Sequence, residues 1–221
     1  MTRRAAAAVL AAGLMLAACG GGGDSEAGDP TPSASATAQP SLDPKEPACS
    51  FLTAADRKRL VGSAIDEVVA TSGTDRSTQC RWQAASALVQ VTTLPAEEWA
   101  KTLPQVVAQL EQSGDLTSAT DKKELARAKK LLSKASSFSG DQACDAFTTL
   151  AELGGAKPGA TTTITAVPIS EAEAGISAQM CTAGEMTSLI YSVPGLKKTK
   201  ATDAAVTKAL AAAQTRALAA R

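Results

Sequence analysis

Residues 48–53 read ACSFLT, and residues 143–148 read ACDAFT. Each stretch leads into a short helical pattern that closes on glycine: AADRKRLV before Gly62, and TLAEL before Gly154–Gly155. A second cysteine follows each, Cys80 and Cys181, and beyond it comes an apolar run, LVQVTTL from Leu88 and LIYSV from Leu189. Each run ends at a proline, Pro95 or Pro194, and another helical stretch comes next. The order is cysteine, short helix, extended segments, cysteine, strand, long helix, given twice. Self-similarity of this kind marks a repeated structural unit. It predicts an α+β fold, with antiparallel sheet or sheets flanked by helices, in copies 47–117 and 142–221 joined by a helix over 118–135. Whether the two halves share one sheet stays open.

Five cysteines leave one without a partner. Cys49, Cys80, Cys144 and Cys181 allow three connectivities, and pairing within copies selects Cys49–Cys80 and Cys144–Cys181. Closing loops of that length stabilises by roughly 3.5–4 kcal/mol each in the chain-entropy model. The contribution matters because aromatic residues are only 3% of the chain and alanine supplies much of its apolar count. Small side chains bury little area each.

Cys19 is the odd one. The chain opens MTRRAAAAVLAAGLMLAAC, a basic pair (Arg3, Arg4) and then an apolar run from Ala5 to Ala18. That is the pattern of a secretory signal over residues 1–18, too short for a membrane span. Leu16-Ala17-Ala18-Cys19 resembles the bacterial lipobox, which implies cleavage before Cys19 and a diacylglyceryl group on its sulfur. Two acyl chains suffice for stable attachment. Residues 19–46 read as lipid anchor and tether, rich in Gly, Ser and Pro, with Leu42 the one large aliphatic. Such a segment buries too little to offset chain entropy, and its mean reach is about 30 Å. The α+β domain is expected over 47–221.

Within it, Ala64–Ala70, Gln79–Gln83 and Thr162–Ile169 are predicted strands. Ala96–Gln112 is a predicted helix striped by Trp99, Leu103 and Val107, with Pro104 as a kink or a restart. The helix over 118–135 opens with the capping pattern Ser118-x-x-Asp121. Ala201–Ala220 is a predicted C-terminal helix.

Pro47-Ala48-Cys49-Ser50-Phe51-Leu52-Thr53, the later Gly62, and Cys80-Arg81-Trp82 are similar to motifs of the actinobacterial lipoprotein family termed domain of unknown function 3558. Lipobox and Ser/Pro/Thr-rich tether belong to the same resemblance, which is best over residues 1–95. The second copy departs from it, carrying Thr182-Ala183 where Arg81-Trp82 stand. The resemblance implies a place in the cell envelope, on the outer face of the membrane, and no agreed activity.

The chain has no histidine and no asparagine. Histidine-dependent triads and histidine metal sites are therefore excluded. No G-x-S-x-G or S-x-x-K motif occurs, and Gly154–Ala160 lacks the G-K-[ST] ending of a phosphate loop. The cysteines lack the close spacing of zinc sites, so neither metal nor cofactor is expected. Glu97 and Glu98 are adjacent and point about 100° apart on a helix. Removing residues 1–18 leaves 20 basic against 22 acidic groups, a balance that does not steer the chain toward nucleic acid. Trp82 and Tyr191 are the aromatics least committed to apolar periodicity, hence candidate ligand contacts. Lys122, Lys123, Arg127 and Lys130 make the helix over 118–135 locally basic, a candidate contact for anionic lipid headgroups or wall polymers. The sequence thus points to a lipid-anchored, non-catalytic binding or accessory module of the envelope. Its partner would be an envelope protein, a small molecule or a wall component. The alternative is an extracytoplasmic hydrolase using dispersed Asp and Glu side chains.

Overall fold

A computed structural model describes residues 45–74, 76–112, 118–169 and 173–221. The expected signal segment 1–18, Cys19 and the expected tether up to residue 44 lie outside the described residues. Among the described residues are six strands and five α-helices. In chain order they are α1 (Ala54–Val61), β1 (Val68–Thr74), β2 (Ser77–Ala84), β3 (Ala87–Pro95), α2 (Ala96–Gln112), α3 (Ala119–Leu132), α4 (Gly140–Leu153), β4 (Thr162–Pro168), β5 (Ala174–Thr182), β6 (Glu185–Ser192) and α5 (Lys200–Ala219). A 3-10 turn, Pro47–Ser50, precedes α1, and another, Ala135–Ser137, precedes α4.

All strands pair antiparallel in one sheet of order β1-β2-β3-β6-β5-β4. The order is a palindrome: two three-stranded meanders meet at β3 and β6, where Val91 faces Leu189. The fold is α+β, and its halves share a single sheet. Both expected disulfides are present, Cys49–Cys80 and Cys144–Cys181.

The recurrence is one of order, not of place. Directly opposed residues lie on the same face of a sheet, and successive residues on opposite faces. Cys80 opposes Val91, Val91 opposes Leu189, and Leu189 opposes Ala178. These share a face with Trp82, Val89, Ile176 and Tyr191, and that face is covered by Phe51 and Leu52 just before α1, by Leu60 of α1, and by Val206, Leu210 and Ala213 of α5. Cys181 opposes Met186, which opposes Leu94, and these lie on the other face. There they meet Trp99 and Leu103 of α2, Cys144, Phe147 and Leu150 of α4, and Leu125 and Leu132 of α3. The first and last helices thus cover one side of the sheet, and the three middle helices cover the end of the other. Each disulfide pins its helix or turn to a different face. A two-fold relation between neighbouring antiparallel strands would preserve faces, so the two segments are not superposed copies.

Local sequence explains most boundaries. Thr53 and Asp56 form a reciprocal capping box at α1, as Ser139 and Gln142 do at α4. Ser118 caps α3 through the Asp121 amide. α2 runs without interruption through Pro104, whose side chain is exposed. β1 begins later than Ala64, because Ile65 is a buried residue of the preceding connection. β6 begins at Glu185 instead of Leu189, because the two-residue turn Ala183–Gly184 closes the hairpin there. Both turn residues have positive φ, 50° and 71°, the backbone of the hairpin turn whose twist suits flanking strands. α2 and α4 start against this turn. The Ala96 amide donates to the Gly184 carbonyl at 2.9 Å, and a Cβ at Gly140 would lie 2.8 Å from the Gly184 Cα.

Candidate functional site

Trp82 and Tyr191 are not ligand contacts in this fold. They are 2% and 1% exposed and stand on the same covered face of the sheet. Burial, and secondarily the Asp203 carboxylate, push the Tyr191 phenol up from its ordinary value. The sequence left these rings uncommitted because alternation alone does not say which strand face is covered.

The basic residues are placed differently. Lys122, Lys123, Arg127 and Lys130 are all exposed on α3, as is Lys134 just beyond it. Lys123, Arg127, Lys130 and Lys134 follow one another at intervals of four, three and four, so they line one stripe. None of the four has an ion pair among the described residues. Lys129, on the neighbouring side, is paired with Glu111 at 2.6 Å. The opposite side of α3 buries Leu125, Ala128 and Leu132. The helix therefore shows a committed apolar side and an uncommitted cationic one.

The adjacent Glu97 and Glu98 do converge on one partner, contrary to their helical separation. The Arg76 guanidinium, from the β1–β2 turn, reaches Glu97 with one nitrogen and Glu98 with another at 3.0 Å. The forked geometry of arginine spans what two adjacent side chains cannot close themselves. The hydrogen bond from Lys101, and less so the charge of Arg76, holds Glu98 below the usual carboxylate range.

Two carboxylates are deeply buried among the described residues, Asp56 and Glu185. Asp56 accepts from the Thr53 amide and hydroxyl, from Arg59, and from Arg216 of α5 at 2.8 Å. Burial alone would raise its pKa, but the hydrogen bonds from Thr53 and Arg216 outweigh that and hold it at about 2. It stays ionised and fastens α1 to α5. Glu185 sits at the edge of a cavity of about 360 Å³ lined by Pro47, Phe51, Thr78, Thr93, Ala217 and Arg221, among others. Its carboxylate is paired with Arg221. No sequence signal marks Glu185, a lone acid after a turn whose cation comes from beyond the last helix.

Among the described residues no group of three or more His, Cys, Asp or Glu side chains is arranged to hold a metal ion. No helix there is long and apolar enough to cross a membrane. Two disulfides are the mark of an extracytoplasmic compartment. Compared with protein-family models, curated proteins and solved structures, the chain matches none.

Proposed function

We propose that this protein is a non-catalytic binding module, tethered through a lipid on Cys19 to the outer face of the cell membrane, that lays its α3 helix on anionic headgroups. The observation that carries the reading is the stripe Lys123–Arg127–Lys130–Lys134, exposed and without ion-pair partners among the described residues. The lipobox-like Leu16–Cys19 and the resemblance of residues 1–95 to an actinobacterial lipoprotein family support the anchor. A short lipid-tethered chain keeps the domain near the surface, where each basic residue contributes about 1 kcal/mol to binding an anionic leaflet. Anchor and stripe would then act as two signals for one surface.

The protein produced without residues 1–19 tests the stripe free of the lipid. It should sediment with phosphatidylglycerol vesicles at low salt and not with neutral ones, and lose that binding as salt screens the charges. Replacing the four stripe residues with alanine should abolish it. Absence of binding at low salt overturns the headgroup reading, and retention on purified wall polymer instead would redirect the stripe to that partner. The anchor is tested separately: wild-type protein should take up labelled fatty acid and enter a detergent phase, and Cys19→Ala should do neither.

A further inference from the structure

Glu185 opens β6 opposite Pro95 and is only 3% exposed. A carboxylate at such depth needs a cation or several donors. Among the described residues it has one ion-pair partner, the guanidinium of Arg221, just past the end of α5. The two partners are held very unequally. Glu185 is built into the sheet, whereas the Arg221 side chain is 44% exposed and has no other ion pair among the described residues.

Arg221 is also not needed to dock its helix. Arg216 already ties α5 to the start of the fold, donating to the Phe51 carbonyl at 2.6 Å and to Asp56 at 2.8 Å. Val206, Leu210 and Ala213 of α5 are wholly buried against the sheet. The Arg221–Glu185 contact is therefore part of the wall of the cavity at Glu185 more than a fastening of the fold.

The surroundings suit an organic cation. Phe51, Pro47, Pro95 and Ala217 supply apolar wall for an alkyl stem, and Thr93 brings a hydroxyl group; the Thr78 hydroxyl is already engaged by the Glu46 carboxylate and the Ala48 amide. At the rim, the charge of Arg76 is answered by both Glu97 and Glu98. A volume of about 360 Å³ is of small-ligand size, and a single carboxylate is too few ligands for calcium or magnesium.

We propose that this cavity is a binding site for an alkylguanidinium or alkylammonium group, with Glu185 as its anion and Arg221, in the cavity wall, as a built-in partner of that anion that an external cation displaces. The proposal is independent of the membrane reading of α3. Its test uses the purified protein and agmatine as probe, followed by calorimetry and by thermal shift. Arg221→Ala should bind agmatine at least about tenfold more tightly than wild type, because the internal competitor is gone. Adding Glu185→Gln to that variant should weaken binding about tenfold or more, as expected for a charge-assisted contact. An arginine-containing peptide binding better than agmatine assigns the ligand to a protein partner; the reverse assigns it to a free small cation. No agmatine binding by Arg221→Ala, or equal binding with and without Glu185→Gln, overturns the proposal. Should Arg221→Ala fail to fold, agmatine added to wild type must shift the amide resonances of Phe51, Ala217 and Arg221. Their constancy at millimolar agmatine overturns it too.

Discussion

The guanidinium of Arg57 lies 4.6 Å over the ring of Trp82. The side chain is buried, and its nitrogens donate to the Ile65 carbonyl at 2.7 Å, the Leu52 carbonyl at 2.7 Å and Asp66 at 2.5 Å. The aromatic face that looked available for a ligand is filled by a cation of the chain itself. Arg57→Ala should cost about 3 kcal/mol or more, since it strips two carbonyls of their donors and empties the space over the ring. Arg57→Lys should recover little, because one ammonium cannot reproduce the fork. Urea denaturation of the three proteins measures both effects.

Asp56 sets an acid limit on stability. Its folded pKa of about 2 lies below the ordinary 3.8, so its contribution is complete above the unfolded value and disappears as pH falls through the folded one. The difference corresponds to about 2 kcal/mol, lost between pH 5 and pH 2. Denaturation midpoints across that range should fall for wild type. In Asp56→Asn, which starts less stable, this part of the slope should vanish.

Removing either disulfide, by Cys49→Ala with Cys80→Ala or by Cys144→Ala with Cys181→Ala, should cost about 2–5 kcal/mol. The consequences should differ by face. Loss of the first should raise amide exchange in α1 and β2, and loss of the second in α4 and β5, because each bond serves a different layer. Hydrogen exchange of the two variants distinguishes this from uniform loosening.

Ala183 carries a positive φ of 50° in the β5–β6 turn. That conformation costs an alanine roughly 1 kcal/mol and suits asparagine before glycine. Ala183→Asn should stabilise the protein by up to about 1 kcal/mol, read as a higher midpoint in thermal denaturation. Gly140→Ala should do the opposite, as its Cβ would meet the Gly184 backbone at 2.8 Å.

Sequence alone carried the disulfide pairing, through the recurring order of motifs, and the α+β class, the limits of α2 and the start of α3, because capping pairs and helical stripes are local signals; α3 ends at Leu132, short of the expected residue 135. It placed β1 too early, since the Ile65 side chain is apolar to fill the core from the connection before the strand and not from the strand itself. It did not single out β5, where Gly175, Ser177 and Gln179 alternate with Ile176 and Ala178 in a run thin in large side chains. The two faces were the deeper miss. Cys80 and Cys181 look equivalent in sequence, yet the hairpin registers put them on opposite sides: Cys80 opposes Val91, four residues past the start of β3, and Cys181 opposes Met186, one residue past the start of β6. Register of that kind is fixed by turn position, and no motif records it. Glu185 was invisible for the same reason, since its partner Arg221 is near only after α5 is laid down.

The covalent path into the domain has a mechanical consequence. A pull applied to the chain ahead of the fold reaches Glu46, whose carboxylate is held by the Thr78 hydroxyl, and three residues on meets the sulfur bridge from Cys49 to Cys80 in β2. Tension is thereby handed to the second strand of the sheet, with its hydrogen-bonded neighbours on both sides, before it reaches α1. The helix is relieved of load and cannot be peeled away turn by turn. Under a reductant the same tug would travel through Phe51 and Leu52 and unzip α1 from the end. The bridge therefore works as a strain relief, as a clamp does where a cable enters its housing.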